Sequence, residues 1–172
     1  SPYSTTSGTW SNSAWPLKPD VVFEGGNLAT DGQQAYTEPC LSLVTTAHEP
    51  EQRLLTTTSA TSAASALAAR MAAQVSTSYP QFCPETVRAL IVHSAEWPDR
   101  MRQDFLAAGT KAGYENLVKH CGFGVPDLSR ALWSACDSLT MIVEDHLRPF
   151  MRQGTKPPTA RDMHLHLLPW PQ

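Results

Sequence analysis

A run of serine and threonine residues passes directly into a run of alanines, and Ser62 stands at the change. Residues 56–61 are almost all Ser or Thr, whereas alanine dominates from Ser62 to Val75. Because alanine is the best helix former, the change predicts a helix that begins within one turn of Ser62 and ends near Val75. A serine in that position is either an ordinary N-cap or a nucleophile. As a nucleophile it would need an adjacent base and would gain from the unpaired N–H groups of the helix.

The remaining residues that could do chemistry form weaker patterns. His120 and Cys121 could make a thiol–base pair, but adjacent residues rarely face each other. His164 and His166 could ligate a metal from one strand face, yet without a third ligand nearby they are more typical of a solvated face. The four cysteines are widely spaced, so reduced and mostly buried thiols are expected rather than disulfides or a zinc site. No cofactor and no metal are predicted.

Composition limits the classes of protein to consider. The chain has 172 residues, 41% hydrophobic and 17% charged, which suits one globular domain with a real core. Its net charge is -3 without a long basic run, so a nucleic-acid surface is not indicated. No apolar stretch is long enough to cross a membrane. Since the chain starts at Ser1 without an initiator Met, we expect it to be a piece of a longer product.

Turn residues and hydrophobic periodicity predict an α/β protein. Short apolar runs predict strands at 20–23 and 40–46, and helices are expected to start near 84, at a proline, and near 127, at an aspartate. Small residues on every side of the alanine-rich helix indicate that it is buried in the centre of the domain.

The character of the sequence changes near residue 137. Residues 139–143 and the alternating residues 163–167 are strand candidates. We therefore expect one domain over residues 1–137 and the start of a separate β-rich region over 138–172.

Four blocks in order carry a resemblance to the subtilisin-like serine peptidases, or subtilases. They are similar to that family's K-P-D-V-x-A-P-G strand, G-T-S-x-A-x-P nucleophile block, V-R-A-L-L-x-x-T-A helix and G-x-G-x-x-D/N turn. In this chain the blocks are Lys18-Pro19-Asp20-Val21-Val22, Thr61-Ser62-Ala63-Ala64, Val87–Ala95 and Gly122–Asp127.

The resemblance implies the C-terminal portion of a subtilisin-like fold, in which a parallel sheet surrounds a buried central helix. It makes Ser62 the nucleophile rather than Ser59, because the family has alanine two residues after its nucleophile and only Ser62 has one there, Ala64. Two positions depart from the pattern. Ala60 replaces the family's glycine and Ala66 its proline.

The family's other catalytic residues have no match here. Its order is Asp, then His, then Ser, so the triad Asp and His are expected upstream of Ser1. His48 precedes Ser62, but its neighbours do not match the family's histidine block, and Asp31 lies in the wrong place for the aspartate. The oxyanion Asn is also expected upstream, since Asn12 and Asn27 are typical turn residues.

Three functions follow from these observations. The first is the C-terminal fragment of a serine endopeptidase acting on peptides or proteins, inactive by itself. The second is a pseudopeptidase, or a protein-binding module on a subtilase fold. The third is an unrelated alanine-rich interaction module. Removal of the upstream half of an α/β domain would expose apolar faces, so self-association through the truncated face is expected.

Overall fold

A computed structural model describes residues 1–9, 17–106, 109–136, 140–146, 148–152, 154–161 and 165. These residues form helices and very short strands, a mixed α/β composition as predicted. Short 3-10 turns cover Ser7–Thr9 and Pro39–Leu41. The strands are β1 (Ala29–Thr30), β2 (Ala35–Tyr36), β3 (Leu43–Thr46), β4 (Leu55–Thr58), β5 (Phe150–Met151) and β6 (Thr159–Ala160), and the helices are α1 (Thr61–Ser78), α2 (Pro84–His93), α3 (Asp99–Phe105), α4 (Lys111–Cys121) and α5 (Leu128–Cys136).

The strands pair into two-stranded antiparallel sheets, β1 with β2, β3 with β4, and β5 with β6. The described residues therefore do not contain the predicted parallel sheet. The predicted strand at 20–23 is also wrong. This segment exchanges backbone hydrogen bonds only with a turn, Val22 N–H to the Gly124 carbonyl at 2.9 Å and Phe123 N–H to the Asp20 carbonyl at 2.8 Å. A strand requires a neighbouring strand, and none of the described ones lies beside it.

The strand predicted at 40–46 is confirmed in its second half, as β3. Its first half is a 3-10 turn, because Pro39 stands at the start and suits the first position of a helical turn. β3 pairs with β4 over four residues, from Leu43 opposite Thr58 to Thr46 opposite Leu55. This hairpin delivers the chain to the start of α1.

α1 begins and ends near the predicted residues, but it is not buried on every side. Only Met71 and Val75 are buried, whereas Ala66 and Ala69 are exposed in the half that follows Ser62. The expectation of a fully buried central helix is therefore wrong for this half. Small side chains permit close packing on every face, but the described chain leaves the face that carries Ala66 and Ala69 exposed.

The core joins the C-terminal half of α1 to α2 and α5. Pro84 opens α2 as predicted, and the Asp127 carboxylate caps α5 by accepting the Arg130 N–H at 2.6 Å. The interhelical hydrogen bond from the Tyr79 hydroxyl to the Leu132 carbonyl, 2.6 Å long, ties α1 to α5. Six buried side chains form the core cluster: Met71, Val75, Val87, Leu90, Ile91 and Ala131.

Beyond α5 the structure agrees only in part with the predicted β-rich region. β5 and β6 form, but residues 140–143 of the candidate strand 139–143 have no regular secondary structure. Ile142 packs against the core cluster and Glu144 accepts the Cys83 N–H at 2.8 Å, so residues 140–146 lie on the helical core. The candidate strand at 163–167 lies outside the described residues except for Leu165. The division into 1–137 and 138–172 stays a prediction.

Candidate active site

Ser62 occupies the second position of α1, and its side chain is exposed. Its hydroxyl makes no hydrogen bond to any other described residue. The first N–H groups of a helix have no partner within it, and the cap residue, Ala60, has no side chain that could accept from them. The site therefore combines a free hydroxyl with backbone donors suited to a negatively charged oxygen.

Ser59 has a different environment from Ser62. Its hydroxyl lies 2.8 Å from the Ser42 hydroxyl and donates to the Asn27 carbonyl at 3.3 Å. A side chain at Gly26 would approach the Ser59 Cα within 2.8 Å, so the backbones are in close contact. Ser59 therefore holds the turn before α1 in place, which favours Ser62 as the reactive serine of the pair.

Ala60 replaces the glycine of the nucleophile block without backbone strain. Its φ of -128° and ψ of 151° lie in the extended region that any residue adopts. The methyl group at this position therefore does not prevent the turn that presents Ser62.

Three of the four sequence blocks meet at the segment that begins at Lys18. Asp20 pairs with Lys18 at 2.7 Å and with Arg88 of α2 at 2.8 Å. Partial burial alone would raise the pKa of Asp20, but the hydrogen bonds and charges of Lys18 and Arg88 outweigh it and lower the pKa. Two glycines let the turn after α4 pack closely against the backbone of Asp20 and of Glu96. At Gly122 and Gly124, both at positive φ, a Cβ would lie within 2.3 Å and 2.0 Å of the carbonyl oxygens of Asp20 and Glu96.

None of the described histidines is hydrogen-bonded to the Ser62 hydroxyl. His48 lies in the loop between β3 and β4, where it pairs with Glu49 at 3.5 Å, and the length of β4, about 13 Å, separates this loop from α1. His93 is the last residue of α2, and its side chain is exposed. His120 stacks on Phe105 with ring centroids 4.9 Å apart, and it lines the same cavity as Thr61 and Ser65, residues on either side of Ser62 in the first turn of α1.

Other predicted candidates have structural roles or lie outside the described residues. Asp31 organises the β1–β2 turn, where N–H groups of Gln34 and Gln33 and the Tyr36 hydroxyl lower its pKa to about 2. Asn27 is a turn residue as expected, its side chain accepting the Leu28 N–H at 2.9 Å. Asn12, His164 and His166 lie outside the described residues.

The cysteines show no catalytic pairing. All four are free thiols, but only Cys121 is buried, so the expectation of mostly buried thiols is wrong. Burial, with a contribution from Asp104, raises the pKa of Cys121, and a protonated thiol is a poor nucleophile. The described residues contain no group of three side chains able to hold a metal ion, and none of the described helices has the length and apolarity to cross a membrane.

Two supporting residues were not predicted from sequence. Ser42 and Gly26 hold Ser59, and they come from segments 17 and 33 residues away from it. Only the register of the β3–β4 hairpin, which sequence leaves open, would have identified the pairing of the two serines.

The chain is similar in sequence to known proteins over most of its length. The sequence model of the subtilase family matches residues 1–124. An uncharacterized protein of Sinorhizobium fredii, y4bN, is 32% identical over 135 residues, an alignment that covers 76% of this chain and 30% of that protein. The chain thus spans less than a third of this relative's length. No solved structure matches the chain significantly.

Proposed function

The chain belongs to the subtilase family, and from this premise we propose that it is the C-terminal part of the catalytic domain of a serine endopeptidase. Ser62 is its nucleophile, and peptides or proteins are its substrates. The observation that carries the proposal is the free, exposed hydroxyl of Ser62 in the first turn of α1, within the block that resembles the family's nucleophile motif.

The proposed chemistry assigns a part to each group around Ser62. The hydroxyl attacks the substrate carbonyl, and the oxygen of that carbonyl becomes negatively charged. Backbone N–H groups at the start of α1 are placed to stabilise this charge. The hydrogen-bonded Ser59 and Ser42 hold the turn, so the hydroxyl and the N–H groups keep their relative positions.

The base that activates Ser62 is proposed to come from chain that precedes Ser1. None of the described histidines is hydrogen-bonded to Ser62, and the aspartate and histidine blocks of the family have no counterpart in this sequence. The 172 residues by themselves are therefore expected to be inactive. The greater length of the Sinorhizobium relative is consistent with a longer parent protein.

The same upstream chain would complete the fold. The extended segment at 20–23 has no strand neighbour among the described residues, and Ala66 and Ala69 on α1 are uncovered. A parallel sheet built from upstream strands would pair with the segment at 20–23 and cover Ala66 and Ala69. In its absence, we expect the uncovered face to favour self-association.

A pseudopeptidase is the second candidate function. Ala60 and Ala66 stand where the family has glycine and proline, and such departures are consistent with a fold retained for binding after loss of catalysis. In that case the longer protein would carry Ser62 without a working base.

Hydrolysis of casein by the longer protein separates these functions. We expect Ser62→Ala to reduce the rate by on the order of a millionfold, as removal of a serine nucleophile does. The matched variant Ser59→Ala should keep measurable activity, since Ser59 only supports the turn. Equal activity of Ser62→Ala and wild type would refute the nucleophile assignment, and an inactive wild type would favour the pseudopeptidase.

A further inference from the structure

A groove lies at the C-terminal end of α2, and Ser62 does not line it. Its volume is about 640 Å³, within the range typical of ligand sites. Its walls are formed by the last turns of α2, the chain that leads from α2 into α3, α3 itself and the turn after α4. Its lining includes Ala89, Val92, His93, Trp97, Arg102 and Phe123.

The apolar part of the groove is rigid and open to solvent. The Trp97 indole N–H donates to the Gly122 carbonyl at 2.9 Å, and its ring lies 6.3 Å from that of Tyr114. Phe123 is 49% exposed although it is a large aromatic residue in a tight turn. Ala89 and Val92 complete an apolar floor. A fixed indole beside an exposed phenyl ring suits a flat or branched apolar group.

The polar part of the groove is positively charged. The Arg102 side chain is oriented by a hydrogen bond from its Nε to the Trp97 carbonyl at 3.1 Å. Its two terminal nitrogens have no hydrogen-bond partner among the described residues. His93 adds an imidazole N–H donor from α2.

Glu96, the acidic residue that lines the groove, is hydrogen-bonded to a different arginine. Its carboxylate is paired with Arg130 at 2.5 Å. The hydrogen bond from Arg130 lowers the pKa of Glu96, which keeps the pair ionised and mutually neutralised. The charge of Arg102 also lowers the pKa of Glu96, so the two side chains interact electrostatically. Arg102 makes no hydrogen bond to Glu96, however, and its terminal nitrogens remain available to a ligand.

We propose that this groove binds a carboxylate carried on an apolar or aromatic body, such as the C-terminal residue of a peptide. The planar guanidinium of Arg102 can donate two parallel hydrogen bonds to a carboxylate, and charge-assisted bonds of this kind are the strong ones. The rings of Trp97 and Phe123 bury the attached side chain. The site needs no residue of the Ser62 region.

Titration of the 172-residue chain with N-acetyl-L-phenylalanine and with the neutral N-acetyl-L-phenylalaninamide tests the proposal, with binding followed by NMR. We expect the acid to bind about tenfold more tightly than the amide, a difference in proportion to one charge-assisted pair at a partly exposed site. Arg102→Gln should remove the preference, and Arg102→Lys should keep part of it. Phe123→Ala should weaken both ligands.

Arg100→Gln is the matched control. Arg100 is on the same helix, pairs with Asp104 at 2.9 Å and does not line the groove, so the same loss of charge there should leave the preference intact. Ser62→Ala should bind as wild type, and circular dichroism should show that each variant is folded. Equal binding of acid and amide, no binding of either, or the same loss in Arg100→Gln would overturn the proposal.

Discussion

The two halves of α1 differ in what surrounds them, although both are rich in alanine. The C-terminal half places Met71 and Val75, 5% and 0% exposed, against α2 and α5. The half that begins at Ser62 is largely uncovered, as is the hairpin that leads into it, where Val44 is 69% and Leu55 61% exposed. The packing that stabilises the fold is therefore concentrated at the C-terminal end of α1. The proposed chemistry lies at the N-terminal end, which in the proposal is completed by chain that precedes Ser1.

The largest effect should come from deleting a core side chain. Leu90, 3% exposed, lies in the core cluster, so Leu90→Ala should lower the free energy of unfolding by about 2–5 kcal/mol. Leu55→Ala makes the same change on the exposed hairpin and should cost less than about 1 kcal/mol. Urea unfolding followed by circular dichroism measures both. Similar losses in the two variants would show that the helical core and the β3–β4 hairpin are equally well packed.

A smaller effect is expected from the hydroxyl that ties α1 to α5. Tyr79→Phe removes the hydrogen bond to the Leu132 carbonyl and should cost about 1 kcal/mol, while the ring keeps its stack on Phe82. Tyr36→Phe removes an exposed hydrogen bond to Asp31 in the hairpin region and should cost less. The same unfolding experiment compares them, and a larger loss for Tyr36→Phe would reverse the assignment of stability to the helical core.

The Asp20 ion pairs should contribute a pH-dependent stabilisation. The pKa of Asp20 is lowered in the folded chain, so its contribution is full above the pKa of an unfolded aspartate, about 3.9, and is lost as pH falls through the lower folded value. Asp20→Asn should cost about 0.5–1 kcal/mol at pH 7, since solvent screens these two partly exposed ion pairs. The difference from wild type should shrink below pH 4, and a constant difference would argue against the ion pairs as its cause.

The smallest effect is expected at the proposed nucleophile. Ser62→Ala removes an exposed hydroxyl without a described partner, so stability should change by less than about 0.5 kcal/mol. Ser59→Ala removes the hydrogen bonds to Ser42 and Asn27 and should cost about 1 kcal/mol. Thermal unfolding of the two variants tests this contrast. A Ser62→Ala protein that is the less stable would identify Ser62 as a structural cap.

Local signals predicted the helices well. The alanine run, Pro84 and Asp127 each act on their own first turn, and α1, α2 and α5 begin where these residues indicate. The strand at 20–23 was not predictable in the same way, because a strand exists only where a neighbour pairs with it.

Contacts between segments that are distant in the chain could not be predicted from the sequence either. The resemblance to the subtilases identifies Ser62 as the candidate nucleophile, and the predicted helix start beside it is confirmed by α1, which begins at Thr61. The exposure of one half of α1 and the hydrogen-bonded Ser59 depend on which segments meet in three dimensions. The groove around Arg102 likewise joins α2 and α3 to the turn after α4, and no spacing in the sequence indicates it.

Reaction with a phosphonate probe, mapped by mass spectrometry, tests most directly whether Ser62 is a nucleophile whose base lies outside this chain. The longer protein should be labelled at Ser62 in a one-to-one ratio, and its Ser62→Ala variant should not be. The isolated 172 residues should react no more than their own Ser62→Ala control, because no base takes the proton. Labelling of the isolated chain at Ser62 would show that a base lies within these 172 residues, and His120, which lines the same cavity as Thr61 and Ser65, would be the first residue to substitute.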